Sequence, residues 1–137
     1  MSFILRQGKT KTMLLPVTAS TALTKDTLVT FSSGLLIAAT SSTASADIVG
    51  VVRKTIASTD SDYATSGRLI PVEVPTERYT VWEGTTASAV STDIGIETDL
   101  TDAGTVNRGA TSVKAVRMNK LLSATRGLFW IKFMGSY

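Results

Sequence analysis

Carboxylates are the residues of this chain best suited to chemistry. Asp93, Glu97, Asp99 and Asp102 lie together in "STDIGIETDLTD". In an extended segment, residues 93, 95, 97 and 99 share one face. Oxygen ligands gathered on one face can hold Ca²⁺, but the spacing does not match an EF-hand loop. A solvated acidic loop is the plainer expectation. Glu73, Glu77 and Glu83 form a second set, and glycoside hydrolysis uses paired carboxylates. Nothing in the sequence singles out two of these three.

Other chemistries find less support. The chain has no His, so it lacks the commonest general base and the commonest metal ligand. It has no Cys, which removes thiolate metal sites and disulfides. Serines and lysines are present, but no Gly-x-Ser-x-Gly turn exposes a nucleophile. There is no P-loop and no Gly-x-Gly-x-x-Gly phosphate cradle. Tyr63, Tyr79, Trp82 and Trp130 can stack on bases, yet they are not interleaved with basic residues along one strand. The expectation is a protein that is not an enzyme, takes no metal or cofactor, and makes no direct contact with nucleic acid.

The elements that would position any site read as strands. The chain has 137 residues, the size of one domain. Its 22 Thr and 15 Ser favour strands and turns respectively. No window repeats apolar residues at helical spacing for three clean turns. Strands are expected at 13–17, 28–31, 35–39, 48–56, 68–74, 79–82, 112–118 and 128–134, with a short one near Val106. Such spacing suits a small barrel or sandwich. No internal repeat is visible in the sequence.

Local features sharpen this reading. Ser32-Ser33-Gly34 between two apolar runs predicts a tight hairpin. The following "ATSSTASAD" reads as a mobile loop. Residues 48–56 are apolar on both alternating sets, as in a central strand or one packed between a core and a partner. Gly50 within that run predicts a bulge or a close backbone approach. Pro71 and Pro75 lose their N–H groups on the same side, which predicts an edge strand at 68–74. The closing "GLFWIKFMG" is apolar on both faces, so its second face predicts a subunit interface, for which Trp82, Trp130 and Met134 are nominated.

The N-terminus reads as an arm over residues 1–12, ahead of a β-rich domain at 13–137. Phe3, Ile4 and Leu5 precede Arg6, Lys9 and Lys11, the densest basic group in a chain of net charge +3. An arm of this kind can add to a neighbour's sheet edge while its cations meet acidic groups. The short apolar run is not a signal peptide, and no stretch approaches the length of a membrane helix.

The run "LPVTASTALTKDTLVTFSSGLLIAATSSTASADIVGVVRKTI" resembles the small head-decoration, or cement, proteins of tailed bacteriophages. Lys25-Asp26-Thr27-Leu28-Val29, Gly34-Leu35 and Ile48-Val49-Gly50-Val51-Val52 carry the likeness. The later "IPVEV", "GIETDLTDAGTVN" and "LFWIKF" extend it over roughly residues 12–134. The Ser/Thr loops are longer than that pattern has. The resemblance implies a β-barrel or β-tulip domain on the outer surface of an assembled capsid, commonly a homotrimer at three-fold positions. The partner it implies is the major capsid protein, and the location is the virion after assembly in the host cytoplasm. The competing expectation is a tail, baseplate or receptor-binding β module, a class that also uses Ser/Thr-rich strands.

Overall fold

The computed structural model describes residues 2–77 and 80–134. Apart from two single turns of 3-10 helix, at Ser45–Asp47 and Ser91–Asp93, its regular structure is strand. The chain is a small all-β domain, as its β-branched content and turn spacing predict.

The first half forms β1 (Phe3–Gln7), β2 (Thr10–Val17), β3 (Leu28–Ser32), β4 (Leu35–Ala38), β5 (Ile48–Val52) and β6 (Arg68–Pro75). Strands β2 to β6 close a barrel in the order β2-β4-β3-β5-β6. The second half forms β7 (Val81–Thr85), β8 (Glu97–Asp102), β9 (Thr105–Asn107), β10 (Val116–Ser123) and β11 (Arg126–Trp130). Its sheet runs β1-β7-β11-β10-β8-β9, and a β7–β9 pairing closes the last five into a second ring.

The two rings have the same topology. In each, the first strand pairs parallel with the third, at Val17↔Leu36 and at Thr85↔Thr105. The first also pairs antiparallel with the fifth. The second pairs with the third and the fourth, and the fourth with the fifth, all antiparallel. Five strands cannot alternate direction all the way round, so one parallel contact must close each ring. No sequence repeat marks this duplication, because pairing order depends on backbone and alternation rather than on residue identity.

Two apolar cores follow from two rings. Val29, Leu36, Val52, Ile70 and Val72 fill the first barrel. Trp82, Leu100, Met118 and Phe129 fill the second, whose core continues into Leu28, Ile48 and Val51 of the first. Strand β5 is buried at all five positions. Val49 and Val52 face the first core, while Ile48 and Val51 face the junction. Its two apolar faces are both covered within one chain.

The predicted hairpin is present. Ser33 and Gly34 take φ of 52° and 81°, the paired positive values of a two-residue hairpin turn. Gly50 meets both expectations placed on it. The β3–β5 register shifts between Val29↔Gly50 and Thr30↔Ile48, and a Cβ at Gly50 would lie 2.4 Å from the Glu73 carbonyl oxygen.

Four expectations are corrected. Strand β6 is not an edge strand, since it lies between β2 and β5. Its prolines instead shorten one pairing. The Pro71 carbonyl accepts from the Arg53 N–H on the β5 side, and only Val51↔Glu73 and Val52↔Val72 pair there. The 1–12 arm is not free: β1 pairs with β7, and β2 begins at Thr10. Strand β8 was expected as an acidic loop. The "ATSSTASAD" loop is tied down, with the Ser45 N–H donating to the Lys114 carbonyl and Ser45 Oγ accepting from the Lys132 N–H. Strand ends also move: the 79–82 run becomes Val81–Thr85 and the 112–118 run becomes Val116–Ser123. Tyr79 lies outside the described residues.

Candidate interaction surface

The acidic segment assembles no metal cage. Asp93 Oδ2 accepts from Arg108 Nε at 2.6 Å and from the Val90 N–H at 2.9 Å. Glu97 pairs with Arg117. Asp99 Oδ1 accepts the N–H groups of Val113 and Lys114, both at 2.8 Å. Asp102 Oδ1 accepts the Gly104 N–H within its own turn. Each carboxylate therefore serves a separate loop or strand, and no metal-binding group of acids occurs among the described residues.

The second carboxylate set is equally dispersed. Glu73 accepts from Thr10 Oγ1 and lies near Arg53, while Glu77 accepts the Lys9 N–H. Glu83 stands between Arg6 and Arg126, at 2.9 and 2.8 Å. Burial by itself would raise the Glu83 carboxyl. Hydrogen bonds from Arg126 and Arg6, with their charges, outweigh it and hold the group below the ordinary value. Asp93 is lowered chiefly by its hydrogen bond from Arg108, with the Val90 N–H adding to this against burial. The Glu83 pairs join β7 to β1 and β11, and the Asp93–Arg108 pair ties the second 3-10 turn to the turn after β9.

The nominated interface residues separate. Trp82 is fully buried, with Nε1 donating to Thr80 Oγ1 at 3.0 Å and its ring centroid 5.6 Å from that of Phe133. It is a core residue, a correction that follows from the strand's alternation: Trp82 points into the ring and Glu83 out of it. Trp130 and Met134 point outward and keep 42% and 40% of their surface exposed. Trp130 lies opposite Arg117 on β10.

The arm residues also separate. Phe3 is fully buried, and Ile4 and Leu5 are partly covered. Arg6 is held by Glu83. Lys9 and Lys11 are exposed.

Sequence reasoning missed a third group. Met13, Leu14 and Leu69 are 37%, 62% and 59% exposed on the β2–β6 ribbon of the first barrel. Leu14 lies opposite Pro71, and Pro16 opposite Leu69, on one outer face. The signal was available as an apolar run, "MLLPV", that a barrel strand cannot bury on both sides. Between the barrels lies an open hollow of about 300 Å³, lined mostly by small side chains such as Ala22, Ala38, Ala39 and Ala103. Comparison with protein-family models, curated proteins and solved structures gave no match.

Proposed function

We propose that this chain is a capsid decoration protein, binding the outer surface of an assembled phage head and stabilising the expanded shell. The observation that carries the reading is how the molecule spends its side chains. Glu83, Asp93 and Glu97 pair with arginines, and Asp99 and Asp102 accept backbone N–H groups of nearby loops. Meanwhile Trp130, Met134, Met13, Leu14 and Leu69 remain at the surface. Exposed aromatic, Met and Leu side chains on a barrel surface suit protein contacts. The resemblance of residues 12–134 supplies the class of partner, the major capsid protein.

The physical logic is that of multivalent cement. Each copy needs only about 800 Å² of contact per partner. Several such contacts in a symmetric assembly add through effective concentration. Binding only the expanded lattice stabilises that lattice over any state lacking the site.

Co-sedimentation with empty heads lacking the protein, before and after shell expansion, tests the reading. Saturable binding to expanded heads alone, at the copy number of the lattice's three-fold positions, is the expected result. No binding to either form overturns it and directs the search to tails and glycans.

A further inference from the structure

The duplicated topology exposes a difference between the two barrels. In the second, β7 carries β11 on one edge and β1 on the other, the latter antiparallel through Ile4↔Glu83 and Leu5↔Trp82. In the first, the corresponding strand β2 carries β6 along its whole length. Its other edge meets β4 only at Val17.

The direction of the hydrogen bonds shows which groups this leaves unpaired. The Val17 carbonyl accepts from Gly67 on the β6 side, and the Thr18 N–H donates to Leu36 on the β4 side. Successive residues of a strand alternate, so Thr12 and Leu14 direct their N–H and C=O groups away from β6. No strand pairs with them among the described residues. Both residues are exposed, and so is Met13 between them. Unpaired edges are usually guarded by lysine, proline or a bulge. Here Lys11 and Pro16 stand at the ends, and Thr12-Met13-Leu14 lies open between them.

We infer that this edge of β2 is a contact between two copies of the chain, joined as antiparallel β2 strands about a two-fold axis. The edge is its own complement. Thr12 of one copy stands opposite Leu14 of the second, and each pair exchanges both backbone hydrogen bonds. Met13 meets Met13 on the axis. Lys11 falls opposite Leu15, so no like charges face one another. The arrangement gives β2 the antiparallel neighbour that β7 already has in β1. It does not rest on the decoration reading, and it is distinct from a three-fold contact through Trp130.

Sedimentation velocity and amide hydrogen exchange on the intact chain test this together. Association is expected to rise with concentration, with exchange at Thr12 and Leu14 slowing by about tenfold or more as it does. Leu14→Pro removes an N–H that faces only the open edge, and it should abolish both effects. Met13→Lys leaves the backbone alone and places two lysines on the axis, so it should weaken association by about tenfold or more even if the proline variant misfolds. Thr12 and Leu14 amides that exchange freely at every concentration overturn the inference. So does an oligomer, trimeric or otherwise, whose mass neither substitution changes.

Discussion

Phe3 occupies the space that a side chain at residue 84 would need. A Cβ on Gly84 would fall 2.6 Å from Phe3 Cε1 and 3.1 Å from Phe129 Cδ2. The glycine thus lets an aromatic ring from β1 and one from β11 meet over β7. Gly84→Ala should destabilise the protein by about 1–3 kcal/mol, since overpacking a filled core forces side chains off their rotamers. Urea denaturation of the variant checks this. An unchanged midpoint would mean that Phe3 moves aside freely.

The same relationship makes the first residues part of the fold. Phe3→Ala should cost about 3–5 kcal/mol, the range for a fully buried aromatic. Deletion of residues 1–7 should lower the thermal midpoint markedly, because it also removes the Arg6–Glu83 pair and one edge of the second sheet. A truncated protein as stable as the intact chain would restore the picture of a detachable arm.

The two tryptophans should part company. Trp82→Ala should cost about 3–5 kcal/mol through lost packing and a stranded Thr80 hydroxyl. Trp130→Ala should fall within about 1 kcal/mol, as expected for an outward-facing side chain. Comparing the two by chemical denaturation, and then assaying Trp130→Ala for head binding, separates a core role from an interface role.

Acid should loosen the second barrel. The carboxyls of Glu83 and Asp93 are lowered in the folded state by their arginine partners. A lowered folded value means stabilisation that is complete above about pH 5 and lost as the pH falls below about 4. Glu83→Gln should flatten part of that acid limb and cost about 1–2 kcal/mol at neutral pH, where a neutral amide with one acceptor oxygen replaces the carboxylate that Arg6 and Arg126 share. Denaturation midpoints measured from neutral to acid pH test the sign. A limb of the same slope in the variant would exclude Glu83 as a contributor.

Asp99 should act as a loop anchor rather than a calcium ligand. It accepts two N–H groups from residues 113 and 114, the second of which has a φ of 64°. Asp99→Ala should cost about 1–3 kcal/mol, the range for stranding buried donors. Added calcium should leave the thermal midpoint of the intact protein unchanged within about 1 °C. A calcium-dependent rise that Asp99→Ala abolishes would reverse this assignment.

The class of fold and most of its local pieces follow from short-range features of the chain. β-Branched residues, the Ser33-Gly34 turn and alternating apolar runs act over a few residues, so their consequences can be read in order along the chain. Gly50 was legible for the same reason, as was burial of β5 on two faces. Strict alternation, however, pairs Ile48 with Val52 and Val49 with Val51, whereas the register shift at Gly50 puts Val49 with Val52 and Ile48 with Val51. That Phe3–Gln7 is a strand emerges only on folding, because its partner β7 lies more than seventy residues away. Folding also makes β8 a strand: Asp99 can be buried there only because the distant 113–114 loop supplies its donors. The outward and inward fates of Trp130 and Trp82 depended on the phase of each strand against its neighbours, which composition does not carry. The duplication of the barrel, and the edge it leaves open on β2, are facts of pairing order. Apolar alternation and turn geometry select that order, and many different side chains satisfy them equally well.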